Sequence, residues 1–264
     1  MIELKGIEVT FHPGSVLETR ALHGVDLAIP EGRFVTVIGS NGAGKSTLLN
    51  VLAGTARATA GRIIVDSVDV TAQAAADRAR LLARVFQDPL GGTCGDLTIE
   101  ENLALAEARG RARGLGRAVT AAARGRWRER LGSLGLGLEG RLGDRMGLLS
   151  GGQRQAVALL MATMAPSKIL LLDEHTAALD PRTAEFVLGL TTQLVRELGL
   201  TTLMVTHSMH QALALGDRLL MLHEGRIGLD VAGEAKAKLG VEDLLAEFKR
   251  RRGVYIDEDA LLLG

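Results

Sequence analysis

An α/β architecture with a mixed sheet follows from three features of this 264-residue chain. Phe34-Val35-Thr36-Val37-Ile38, Ile169–Leu172 and Thr201–Val205 are short, mostly apolar runs, the pattern of strands buried on both faces. Thr183 to Leu198, between the last two runs, carries apolar residues at helical spacing. A glycine-rich segment joins the first run to a helical stretch from Thr47 to Ala53.

The other elements are read in chain order. Alternating Ile2, Leu4 and Val9 predict an opening strand. Thr98 followed by Glu101 has the spacing of a capping box that starts a helix. From Arg109 to Arg145 the chain is rich in Arg, Ala, Leu and Gly, which predicts a helical insertion. Gly132 to Gly140 is dense enough in glycine to be a turn region. A helical run from Arg154 to Ala165 follows, and near the end Leu219–Leu222 and Ile227–Val231 flank His223-Glu224-Gly225-Arg226 as a hairpin at the sheet edge.

Composition removes several classes of function. Lysine plus arginine and aspartate plus glutamate both number 31, so no cationic excess exists to gather a nucleic-acid backbone. Hydrophobic content of 47% with 23% charged residues is that of a globular chain rather than a disordered one. Cys94 stands alone, so neither an internal disulfide nor a thiolate cluster can form. No apolar run approaches the roughly 18–20 residues of a bilayer span, and Met1-Ile2-Glu3-Leu4-Lys5 lacks the core of a secretion signal. The expectation is a chain that neither crosses nor leaves through a membrane by itself. Ten arginines (109, 111, 113, 117, 124, 126, 128, 130, 141 and 145) make the insertion locally cationic, either as a solvated helix face or as an anionic contact.

Three motifs carry the chemistry. Gly39-Ser40-Asn41-Gly42-Ala43-Gly44-Lys45-Ser46-Thr47 fits G-x-x-x-x-G-K-[ST] between a buried strand and a helix. Its backbone amides and helix start suit phosphates, Lys45 reaches the β- and γ-phosphates, and Ser46 offers a hard oxygen to Mg²⁺. Ile169-Leu170-Leu171-Leu172-Asp173-Glu174 places two carboxylates at the C-terminal end of a buried strand, where open α/β sheets bind ligands. There Asp173 is the magnesium partner and Glu174 the candidate general base, with solvated helix-capping acids as the plainer alternative. Leu149-Ser150-Gly151-Gly152-Gln153 precedes a helix and reads as a second anion site or as a simple helix cap.

In this order the three motifs resemble those of the ATP-binding-cassette ATPases, over nearly the whole chain to about residue 248. The resemblance implies a P-loop NTPase core with an inserted helical subdomain and antiparallel β elements at the edge. It divides the chain into an ATPase domain, 1–250, with a nucleotide-binding core of 1–87 and 150–230 and a helical subdomain of 88–149, and a C-terminal helical tail, 231–264. Phe11 matches the aromatic that stacks on adenine, with a core aromatic as the alternative. Gln87, in Val85-Phe86-Gln87-Asp88-Pro89, matches the glutamine that senses magnesium and the γ-phosphate and transmits that state to a membrane partner. Asp180, in Ala178-Leu179-Asp180, matches the segment that crosses the dimer interface, or caps a helix before Pro181. His207 matches the switch histidine at the γ-phosphate.

His175 stands where most of the family has proline or alanine after the catalytic glutamate. With Val205-Thr206-His207 and Gly240-Val241-Glu242-Asp243-Leu244-Leu245, it makes the chain similar to a bacterial amino-acid or tryptophan-type uptake subgroup. The implied partners are a second copy of the chain, membrane permease subunits and an external solute-binding protein, at the cytoplasmic face of the membrane, with ATP and Mg²⁺ as cofactors and no nucleic acid. An exporter or lipid-extracting ATPase shares every catalytic motif and is the alternative. A DNA-repair ATPase is disfavoured because no sustained heptads separate Thr47 from Leu149, and a translation ATPase because one cassette is present. Lys249-Arg250-Arg251-Arg252 reads as a charged helix end or a lipid contact, followed by Asp257-Glu258-Asp259.

Overall fold

The computed structural model describes residues 1–111 and 116–252, with side chains to residue 250. Arg113 and Asp257-Glu258-Asp259 lie outside the described residues. Two compact units are present: Met1–Arg78 with the chain from Gly199 onward, and Ala79–Leu198.

The first unit holds an antiparallel sheet in the order β2-β1-β4-β5, made of β1 (Ile2–Phe11), β2 (Thr19–Ile29), β4 (Ala60–Val65) and β5 (Val68–Asp69). In β1 the buried residues are Ile2 and Leu4, then Ile7 and Val9, so the buried parity changes in mid-strand. A register irregularity between Leu4 and Ile7, with Gly6 at φ +57°, supplies the extra residue and returns both apolar pairs to one face. Simple alternation from Ile2 to Val9 is therefore corrected to two runs joined by a bulge.

Beside it, β3 (Phe34–Gly39) is buried along its whole length. It pairs in parallel with β8 (Thr201–Val205) and β9 (Arg218–His223), and β10 (Arg226–Ala232) returns antiparallel to β9 through the expected hairpin. Parallel neighbours on both sides explain why β3 is apolar without alternation. After β3 comes α1 (Lys45–Ala53). Arg78, at the end of α2 (Ala75–Arg78), is buried and donates to the last carbonyls of α1, Val51 O at 2.5 Å and Leu52 O at 2.9 Å. A cation there satisfies orphan carbonyls and faces the negative end of the helix dipole, although burial lowers the guanidinium pKa. The short α7 (Met209–Ala214) and α8 (Gly233–Ala237) precede α9 (Val241–Arg252), whose Leu244 and Phe248 are four residues apart and buried with Ile38, Met209 and Met221.

In the second unit β6 (Leu82–Val85) and β7 (Ile169–Asp173) pair in parallel, Leu82 beside Ile169 through Val85 beside Leu172. Its helices are α3 (Ile99–Glu107), α4 (Ala121–Gly132), α5 (Gly151–Met164) and α6 (Pro181–Leu198). The capping box at Thr98 forms, with the Thr98 hydroxyl accepting from Glu101 N and Glu101 Oε2 accepting from Thr98 N. Ile99, Leu103, Trp127, Leu131, Leu138, Met146, Val157 and Leu160 share one core, and Trp127 Nε1 donates to Glu107 at 3.2 Å. Helix occupies only part of the arginine-rich stretch. Two of its arginines meet acids from α3: Arg124 grips both oxygens of Glu100 at 2.6 and 2.8 Å, and Arg126 meets Glu107 at 3.0 Å. Those acids precede the stretch in sequence, so its own composition hid the compensation. Among the described residues no helix is long and apolar enough to cross a membrane.

Candidate active site

The parallel registers place the motifs. In the first unit Val37 of β3 lies beside Val205 of β8, so Gly39–Thr47 and Thr206-His207 leave at the same sheet end. In the second, Val85 lies beside Leu172, so Gln87 and the Asp173-Glu174 pair also leave at one end. Each unit thus gathers its own share of the sequence-predicted residues.

In the phosphate loop, Gly44 precedes α1 at φ +99°, and a Cβ there would sit 2.6 Å from Ala21 O, so only glycine fits. Lys45 is 5% exposed, and its ammonium donates to Gly39 O at 2.7 Å and Ser40 O at 3.0 Å. These carbonyls bend the lysine over its own loop and hold a positive charge where an anion would enter. Ser40, whose carbonyl also accepts from Ala43 N, is half-buried, while Asn41, Gly42 and Ser46 are exposed and Ala43 is buried. Gly225 in the β9–β10 turn donates to Ala43 O at 3.1 Å, a support outside the motif. Phe11 ends β1 at 39% exposure, which excludes the core-aromatic reading and leaves its ring accessible. His207 follows β8 in a turn fixed on both sides. The Thr206 hydroxyl donates to Gln211 Oε1 at 2.8 Å and accepts from Ser208 N at 3.1 Å, while Ser208 caps α7.

In the second unit Asp173 closes β7 with its carboxylate against Arg84 of β6, Nη2 to Oδ2 at 2.5 Å. Glu174 takes a left-handed backbone, φ +46°, uncommon for a residue with a side chain, and its carbonyl accepts from Ala177 N at 2.9 Å. His175 is buried and anchors this turn. Thr191 Oγ1 gives its one proton to Val187 O, so it accepts from His175 Nε2 at 3.0 Å, and burial lowers the imidazole pKa to about 4. A neutral His175 thus ties the residue after Glu174 to α6. Asp180 lies before α6, its carboxylate accepting from Thr183 N at 3.1 Å, and hydrogen bonding from the Thr183 side chain and then its backbone N–H lowers its pKa.

Ser150 caps α5 in a capping box, accepting from Gln153 N while Gln153 Oε1 accepts from Ser150 N, both at 3.2 Å. The cap reading is realised, and the Gly151 and Gly152 amides stand at the same positive helix start. Gly152 lies against α6: a Cβ there would come within 2.1 Å of Thr183 Cγ2. Gln155, also on α5 and fully buried, donates to Phe86 O at 3.3 Å, next to exposed Gln87. Nothing in the motif pattern marked Gln155 or Arg84.

The fold and these clusters define an α/β ATPase of the nucleotide-binding kind. The sequence pattern of the ABC transporter family matches residues 22–177, and the chain belongs to that family. It is 42% identical to a tyrosine transport ATP-binding protein of Clostridioides difficile (strain R20291), over 94% of this chain and 99% of that one. It is 38% identical to the aliphatic sulfonates import ATP-binding protein SsuB of Escherichia coli (strain K12), over 81% of this chain and 76% of that one. Among solved structures it resembles a dimeric post-hydrolysis state of the ATP-binding cassette MJ0796 bound to ADP and Pi, at a TM-score of 0.76 and 31% identity, covering 88% and 98% of the two chains. The chain is an ATPase that binds ATP with Mg²⁺. The groups expected to hold that ion fit it by their chemistry: the Ser46 hydroxyl, the Gln87 amide oxygen and the Asp173 carboxylate each offer a hard oxygen.

Proposed function

We propose that this chain is the ATPase subunit of an importer for an aromatic or related amino acid, working as a head-to-tail pair of identical copies beneath a separate permease. Similarity at 42% identity, spanning 99% of the length of a tyrosine transport ATP-binding protein, supports this reading. Phe11 stacks on adenine, and residues 39–47 hold the phosphates of one nucleotide. Ser150, Gly151, Gly152 and Gln153 of the second copy cover it, and Asp180 lies along the seam. The ion, when bound through Ser46, Gln87 and Asp173, offsets phosphate charge. Glu174 takes a proton from the attacking water as its oxygen bonds to the γ-phosphorus, and the bond to the bridging oxygen breaks to leave ADP and phosphate. His207 orients the γ-phosphate.

Two anion-binding surfaces bridged by ATP close the pair, and hydrolysis removes the bridge. Gln87, on the loop after β6, relays nucleotide state to the permease, which holds the subunit at the cytoplasmic face of the membrane and receives solute from an external binding protein. On this reading 1–87 and 150–230 form the nucleotide-binding core, 88–149 the helical subdomain and 231–264 a tail. Disrupting the gene in its host and following labelled tyrosine, tryptophan and an aliphatic sulfonate tests the solute. The account expects the energy-dependent uptake of an aromatic amino acid to disappear. Loss of sulfonate uptake alone, or of export, overturns it.

A further inference from the structure

The carboxylate assigned to magnesium already has a cationic partner. Arg84 lies on β6 beside Leu171 of β7, and from there its guanidinium reaches past the strand to Asp173 Oδ2 at 2.5 Å. The two side chains are only 11% and 14% exposed, so little water screens the pair. The guanidinium also lies over the Phe86 ring, 4.7 Å from its centroid, a second contact that favours its place beside Asp173. Phe86 in turn adjoins Gln87, the second proposed ligand. A permanent cation is therefore built into the chain against one of the three residues that would face the metal, with an aromatic ring beside it.

We propose that Arg84 is a positioning residue that stands in for the metal's charge. It keeps the Asp173 carboxylate aimed before nucleotide arrives, and by sharing that carboxylate it moderates how strongly Mg²⁺ and ATP reinforce each other's binding. Two cations on one carboxylate repel, so the coupling between metal and nucleotide is smaller than it would be with Asp173 alone. Arg84 touches no reacting atom. The inference rests on the proposed ligand role of Asp173 and goes beyond it.

The test is the ratio of ATP dissociation constants in EDTA and in saturating Mg²⁺, measured by equilibrium binding to the full chain. Arg84→Met keeps an unbranched side chain able to lie on Phe86 and deletes the charge. The ratio should rise by about ten-fold, equivalent to ~1.4 kcal/mol of added coupling. Arg84→Lys should bring it back toward wild type by restoring a cation. If Arg84→Met does not fold, Phe86→Leu loosens the guanidinium and should shift the ratio in the same direction by a smaller factor. A purely structural role would lower thermal stability and leave the ratio within two-fold of wild type, and that result overturns the proposal. Absence of any magnesium effect on ATP binding in the wild-type chain would instead overturn the ligand role of Asp173.

Discussion

Glu174→Gln should bind ATP with near wild-type affinity, hydrolyse it about 10²–10⁴-fold more slowly, and run as a dimer on a sizing column equilibrated with ATP and Mg²⁺. The amide is isosteric with the carboxylate but cannot accept the proton of the attacking water. The left-handed backbone at residue 174, the Ala177 N–H bond to its carbonyl and the His175 anchor on Thr191 involve no atom of the replaced group. A loss of hydrolysis with binding intact therefore reads as loss of a base rather than of a fold. With hydrolysis blocked, the nucleotide bridge persists, and the paired species accumulates. Turnover within ten-fold of wild type would remove Glu174 from the mechanism, and slow turnover without dimerisation would separate the base from the bridging model.

Gly152→Ala should cost about 1–3 kcal/mol of stability, because the new methyl would lie 2.1 Å from Thr183 Cγ2 and the Thr183 side chain or one of the two helices must shift. Adding Thr183→Ser deletes that methyl and keeps the hydroxyl, so the double variant should recover most of the loss in denaturant unfolding. The pair also bears on function. Gly152 sits beside the capping box at Ser150 and Thr183 N donates to Asp180, so a shift of one helix disturbs both segments assigned to the dimer seam. ATP-dependent dimerisation should fall in the single variant and return in the double. An undestabilised Gly152→Ala would show that the helices yield freely there, and an unrescued double variant would place the clash elsewhere.

Much of the architecture was legible because it depends on local pattern. The buried runs at Phe34–Ile38, Ile169–Leu172 and Thr201–Val205 became β3, β7 and β8, the capping box at Thr98 formed as its spacing implies, and the helix cap read at Ser150 formed as a second such box. What the pattern lacked was partnership across long sequence distances. Arg84 belongs to no motif, and only the β6–β7 register sets it near Asp173, 89 positions away. Arg78 and Gln155 are likewise unmarked in the sequence, and acquire their roles only where α1 presents carbonyls to the one and Phe86 O lies against the other. The parity change in β1 was hidden for a different reason, since one inserted residue reverses every later side chain and alternation carries no mark of it.

His175 shows both sides. Its departure from the family pattern was visible in the chain, but its purpose was not, because Thr191 lies on the next helix and only burial with one hydrogen bond explains the residue. The arginine-rich segment is the converse: an apparent cationic surplus is partly met by Glu100 and Glu107 just upstream.

On the proposed function, no single copy completes a hydrolytic site. The direct measurement is steady-state ATPase rate per chain across a dilution series, with the oligomeric state followed at the same concentrations. The rate per chain should fall with dilution in step with the dimer fraction and approach zero for the monomer. A rate per chain that stays constant down to concentrations where only monomer exists would contradict it.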